Sequence, residues 1–188
     1  MLVKFARYFV AGTALLIFVC TLWVNWETTA ANKHVEEANA ASQAGNDLVA
    51  QIGPKYKELF NEANLQGFPG NREQYKAKAQ ETVELFNKSA EQYRLAASKL
   101  EEASRQAVKQ PLIDYWSLKV QSFRKLADSK QAFGKLVQLL LDESITDMNA
   151  LNEKVGPLVD EAVRLDGESD KLGVEAQKIQ DAHKDVIK

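Results

Sequence analysis

One cysteine, Cys20, in 188 residues excludes an intrachain disulfide framework, so the fold must be held by packing alone. Two histidines, His34 and His183, lie far apart in the chain, and neither has an acidic residue three or four positions before it. That removes the usual helical metal-ligand pattern. No Ser sits in a Gly-x-Ser-x-Gly turn and no glycine-rich phosphate loop follows a strand, which excludes the common nucleophile and nucleotide motifs. Charge of one sign is also missing: 24 basic and 26 acidic residues are interspersed along the chain, so no polyanion-binding block forms. Alternating β-branched runs are absent as well, and proline occurs only four times.

What remains is an all-α pattern with one conspicuous interruption. From Tyr8 to Trp26 the chain carries no charge. As a helix this run covers about 28 Å at 1.5 Å per residue, close to the ~30 Å hydrocarbon core of a bilayer. Lys4 and Arg7 precede it, Glu27, Lys33, Glu36 and Glu37 follow, and Trp23 and Trp26 suit the outer interface. The positive-inside bias then predicts a signal anchor over 8–26, a cytoplasmic basic segment over 1–7 and an extracytoplasmic domain over 27–188, periplasmic if bacterial. Small residues from Thr28 to Ala31 permit the alternative of a secreted chain cleaved near Ala30, although the apolar run exceeds a usual signal-peptide core. Attachment of lipid at Cys20 is disfavoured by Phe18 and Val19 just ahead of it.

Beyond the run, Ala, Glu, Lys, Gln and Leu dominate, and apolar positions recur at steps of three and four. The spacing predicts helices over about 31–52, 54–66, 72–109, 111–142 and 145–188. One long stripe runs Tyr75, Ala79, Thr82, Phe86, Ala90, Tyr93, Ala97, Leu100, Ser104 and Ala107. The most regular runs Met148, Leu151, Val155, Leu158, Ala162, Leu165, Ser169, Leu172, Ala176, Ile179, His183 and Val186, which puts His183 at a seam position. Both have the coiled-coil step. Gly53-Pro54 reads as a break, Gly156-Pro157 as a kink or restart, and Gly67–Asn71 as the clearest loop. Asn71 with Gln74, and Ser144 with Asp147, read as capping boxes.

Two architectures accommodate these segments. A reversal near Gln110 gives an antiparallel, coiled-coil-like bundle; a mere kink at Pro111 gives an extended helical hairpin. The missing glycine at 109–111 favours the kink, and the jump in apolar register favours the reversal, which is the expectation adopted.

Candidate recognition residues are few. Tyr115 and Trp116 are adjacent, so on a helix they point about 100° apart. One is expected in the core and the other on a lateral surface, near Phe123. Phe68, in the loop, either caps the bundle end or meets a partner. Carboxylate pairs such as Glu36-Glu37 and Glu101-Glu102 read as solvated helix faces, and Asn87-Lys88-Ser89, a formal glycosylation sequon, falls inside a helical pattern. No catalytic, cofactor or metal residue is assigned, and an enzyme is not expected.

The layout of one anchor and an exported helical domain is similar to the sensory half of bacterial chemoreceptors, without a second span or signalling part in these residues. The likeness is one of fold-level layout and carries no function. The functional expectation is a membrane-tethered scaffold or accessory subunit of an envelope complex, touching the bilayer through 8–26 and a protein partner, or itself, through helical seams. The alternative is a helical binding module for a small apolar or aromatic ligand near Trp116. A secreted enzyme is the third.

Overall fold

A computed structural model describes residues 29–107 and 109–187. The Tyr8–Trp26 run, with Lys4, Arg7, Cys20, Trp23 and Trp26, lies outside the described residues. No helix among the described residues is long and apolar enough to cross a membrane.

The described chain is a helical bundle without strands. Its helices are α1 (Thr29–Leu59), α2 (Glu62–Gln66), α3 (Arg72–Ser104), α4 (Gln110–Gln138) and α5 (Met148–Ala182). A short 3-10 turn, Leu139–Leu141, ends α4. The four long helices have 31, 33, 29 and 35 residues. At 1.5 Å per residue they are rods of roughly 45–50 Å. α1 packs on α3, α3 on α4, and α4 on α5, whereas α1 and α5 share no packed face.

Each packed pair is antiparallel. On α1 and α3, Glu58 meets Lys78, Lys55 meets Glu81, and His34 meets Glu102, so one number falls as the other rises. The same holds for α3 and α4, where Phe86 meets Phe133 and Glu101 meets Arg124. The chain therefore reverses after Ser104, and Pro111 sits in the first turn of α4, where its missing N–H costs no helical bond.

Gly53-Pro54 does not break its helix as the sequence suggested, and at Gly156-Pro157 the helix does not restart. α1 runs through Gly53-Pro54 and α5 through Gly156-Pro157 without ending. In both, the residue before proline has no Cβ, which relieves part of the steric clash that normally stops a helix there. The seven-residue seam Val49, Ile52, Tyr56 and Leu59 stays buried across Pro54, and this packing offsets the lost hydrogen bond. α1 stops instead at Phe60, where Asn61 caps α2 by accepting from Asn64 N at 2.8 Å. The predicted helices 31–52 and 54–66 thus become one long and one five-residue helix. The predicted 72–109 and 145–188 each end several residues early, and the last begins at Met148.

Neither capping box forms. Asn71 makes no side-chain cap on α3; its Nδ2 donates to Asn64 O at 3.0 Å across the loop. Asp147 alone caps α5, accepting from Asn149 N and Ala150 N at 2.8 and 2.9 Å. Ser144 turns back to Asp142 Oδ1, donating from both N and Oγ.

α4 lies at the centre. Sixteen of its 29 residues are buried, against eleven of 33 in α3 and six of 35 in α5. The α3–α4 seam is aromatic: Phe86 and Phe133 stack with centroids 6.0 Å apart, Tyr93 and Phe123 at 6.3 Å, and Tyr56 from α1 meets both Phe86 and Phe133 edge-on. At the end holding the α3 N-terminus, Arg72 ties three segments together. Its Nε donates to Leu140 O at 3.1 Å, a terminal nitrogen donates to Ile145 O at 2.7 Å, and its guanidinium lies 5.2 Å from the Phe68 ring. At the other end, Ile187 is buried just past α5, in a turn closed on His183 O.

Candidate functional site

The chemistry-bearing side chains converge halfway along the bundle, in a polar layer between α4 and α5 that extends towards α3 and α1. Lys130 of α4 is buried, which for an ammonium is costly unless a charge and hydrogen bonds replace water. Asp166 of α5 supplies both, its two carboxylate oxygens lying 3.1 and 3.4 Å from Nζ. The Phe133 ring stands 5.6 Å from the same nitrogen.

One turn further along α5, burial and the negative charge of Asp166 push the Asp170 carboxyl above its ordinary range, while Lys130 draws it partly back. Across the layer, Tyr93 Oη donates to Asn46 Oδ1 at 2.8 Å, and burial pushes its phenol well above the usual range. Ser122 and Ser169 exchange hydroxyl-to-carbonyl bonds at 3.0 Å each way, so the hydroxyls of this pair are used. Ser89 Oγ donates to Gly45 O at 3.2 Å, between α3 and α1.

This arrangement fixes positions. Lys130 is neutralised by Asp166, and the hydroxyls of Ser89, Ser122 and Ser169 are each committed to a backbone carbonyl, whereas the buried Ser129 Oγ has no hydrogen-bond partner. A second charged cluster, towards the α1 N-terminus, joins α1 to α3. His34 Nδ1 lies 3.0 Å from Glu102 Oε2, and Lys99 Nζ lies 3.1 Å from Glu37 and 3.0 Å from Glu102. The hydrogen bond from Lys99 holds the Glu37 carboxyl below its ordinary range, and the same pairs raise the Lys99 ammonium.

The sequence-derived recognition residues are in the core. Trp116 has no exposed surface and Tyr115 is buried with it, which corrects the expectation that one of them faces outward. The reason is the central place of α4: residues about 100° apart on a helix with two neighbours enter two different seams. Phe123 stacks on Tyr93, with the Lys119 ammonium 5.4 Å from its ring. Phe68 is buried beneath Arg72, closing the bundle end. His183 stands at the C-terminal boundary of α5, not within its seam. In the sequon, Ser89 is buried and committed to Gly45, so that segment is part of the bundle wall.

Two open clefts mark the surface. One, of about 460 Å³, is lined by Lys135, Gln138, Leu139, Leu141, Asp142 and Leu158, at the end of α4. The other, of about 400 Å³, is lined by Arg94, Ser98, Glu101, Arg124 and Asp128 and is crossed by two ion pairs, Arg94–Asp128 and Arg124–Glu101. Neither borders Trp116 or the Lys130 layer. No group of three or more His, Cys, Asp or Glu side chains among the described residues is placed to hold a metal ion. The polar layer was missed by sequence reasoning because Lys130 and Asp166 are 36 residues apart. The one signal for it was a lysine standing in an otherwise apolar stripe. No family model, curated protein or solved structure matches this chain.

Proposed function

We propose that this chain is a non-enzymatic, membrane-tethered helical scaffold or accessory subunit of an envelope complex, anchored through residues 8–26 with its bundle on the extracytoplasmic side. The observation that carries the reading is the joining of a charge-free run to a bundle of long rods whose buried Lys130 is paired within the bundle. The described part of α1 opens at Thr29, three residues past Trp26 in the sequence, so a partner is reached by helix surfaces close to the anchor. Partner contacts then belong to outer faces and to the two clefts, since Tyr115, Trp116, Phe123 and Phe68 are committed to packing.

Crosslinking in native membranes, with mass spectrometry of the partners and of the mature N-terminus, tests this. The expected result is an intact N-terminus in the membrane fraction and crosslinks from the outer faces of the bundle to another protein or a second copy. A protein released from membranes with its N-terminus near Ala30, or one that stays monomeric and partnerless after gentle extraction, overturns it.

A further inference from the structure

The three helix seams are unequal, and the difference falls on one helix. The α1–α3 seam is continuous from Ala31 to Leu59 and is tied at both ends by ion pairs, Lys55–Glu81 and Lys78–Glu58 at one end and the His34, Glu37, Lys99 and Glu102 cluster at the other. The α3–α4 seam holds the stacked aromatics. The α4–α5 seam has hydroxyl pairs and a buried ion pair at its middle instead: Ser122 with Ser169, Lys130 with Asp166.

α5 is also a poor helix by its own sequence. Gly156, Gly167 and Gly173 interrupt it, and a Cβ added at any of them would meet nothing within 4 Å. Close packing therefore does not require these glycines, yet Gly167 and Gly173 each weaken the helix by about 1 kcal/mol relative to alanine. Pro157 removes one further backbone bond. Only α4 holds the length of α5, which leaves Val163 and Val174 at 42% and 49% exposure. Both ends are defined: a short link after the 3-10 turn at one end, the His183–Ile187 turn at the other.

We propose that α5 is a strap that opens from the bundle as a unit while α1, α3 and α4 stay packed. Regions with few buried apolar contacts open below the global unfolding free energy, in contiguous cooperative segments. The Lys130–Asp166 pair sets where the strap closes against one slip, because an α5 shifted by a turn so that Ala162 stands opposite Lys130 leaves a buried ammonium without a carboxylate, whereas a turn the other way brings Asp170. Opening uncovers the α4 stripe that includes Ser122 and gives the bundle a second, more apolar surface. The inference does not depend on the membrane reading.

Native-state hydrogen exchange on the full-length chain in detergent micelles, read by mass spectrometry, tests the strap. Peptides from 150–180 are expected to exchange together and at least tenfold faster than seam peptides of α1, α3 and α4. A disulfide between Ser122→Cys and Ser169→Cys, in a Cys20→Ala background, is expected to bring α5 protection level with α4. Replacing the ion pair with Lys130→Met and Asp166→Leu is expected to slow α5 exchange, since apolar pairs of similar volume often hold better than buried ion pairs. Equal protection of α5 and α3–α4 in the unmodified chain overturns the proposal. So does α1 opening together with α5, or a fully formed disulfide that leaves α5 exchange unchanged.

Discussion

Gly45→Ala separates helix propensity from packing in a single methyl group. Gly45 lies mid-way along α1, where alanine should strengthen the helix by about 1 kcal/mol. An added Cβ, however, would stand 2.9 Å from Tyr93 Cε1 and 3.0 Å from Cζ. That ring has little freedom to move: its hydroxyl is bonded to Asn46, and its other side stacks on Phe123. Forcing an extra methyl into a packed seam costs about 1–3 kcal/mol, so the net effect is a destabilisation of about 1 kcal/mol. Gly167→Ala and Gly173→Ala are the controls, because a Cβ there meets nothing within 4 Å and each should stabilise by about 0.5–1 kcal/mol. Gly156 is unsuitable, since it precedes Pro157 and a Cβ at that place opposes the helical conformation. Urea titrations of the full-length chain in detergent, followed by circular dichroism, should place Gly45→Ala below the parent and the two controls above it. The spread of roughly 2 kcal/mol corresponds to about 4–8 °C in melting temperature for a chain of this size. A Gly45→Ala variant as stable as Gly167→Ala would refute the close approach of α1 to Tyr93. In a Tyr93→Leu background, itself less stable, Gly45→Ala should no longer destabilise, because the ring that obstructs the methyl is gone.

Three further outcomes follow from the geometry. Arg72→Ala should cost about 2–3 kcal/mol by thermal melting, because Leu140 O and Ile145 O lose a charged donor; Arg72→Lys should recover less than half, as an ammonium cannot span both carbonyls. Trp116→Ala should cost about 3–5 kcal/mol in the same assay, while the unmodified protein, whose core is filled there, should gain no stability from added small aromatics. The carboxyls of Glu37, Glu58, Asp142 and Glu168 are held below their ordinary values, chiefly by hydrogen bonds from Lys99, Lys78, Ser144 and Lys125 in turn. Their stabilisation is present above the unfolded-state pKa and is lost as pH falls through the folded one, so the melting temperature should drop with acidification. Asp170 has the opposite sign: its folded value is raised, so its ionised form opposes folding above that value. Asp170→Asn should therefore raise the melting temperature at neutral pH and have no such effect once the pH is below the ordinary Asp value.

The seams were legible because a strict seven-residue period has one structural meaning. Tyr75, Ala79, Thr82, Phe86, Ala90, Tyr93, Ala97 and Leu100 are all buried in α3, and Leu151, Val155, Ala162, Leu165, Ser169 and Ala176 in α5. The reversal before Pro111 was legible from the register jump between α3 and α4. Punctuation by proline misled for a local reason. Gly-Pro marks a boundary where nothing else holds the chain, but Tyr56 and Leu59 continue the seam on the far side of Pro54. The caps failed for the same cause: Asn71 and Ser144 each had a second partner, Asn64 O and Asp142 Oδ1, that only the folded loop brings near.

Tyr115 and Trp116 show where one-helix reasoning stops. A helix read alone has one buried stripe, so a neighbour 100° away must point outward. α4 has two partners and therefore two stripes, and its identity as the central helix is a property of the whole order of packing. The same fact explains the candidate site. A central helix that contributes aromatics to one seam has its second face left for residues that decide register, and Lys130 does this by requiring a carboxylate, here Asp166, opposite it. Apolar seams alone allow α5 to slide by a turn with little loss, since Leu, Val and Ala recur along it. A buried charge rejects the alignment that brings Ala162 opposite it, and leaves only those with Asp166 or Asp170 there. The polar layer thus does for α5 what the stacked Phe86–Phe133 and Tyr93–Phe123 pairs do for α3: it selects among positions of similar apolar burial. The aromatic device adds cohesion while it selects. The charged one selects at a cost in cohesion, which is why the outermost seam that carries it is the one placed to open.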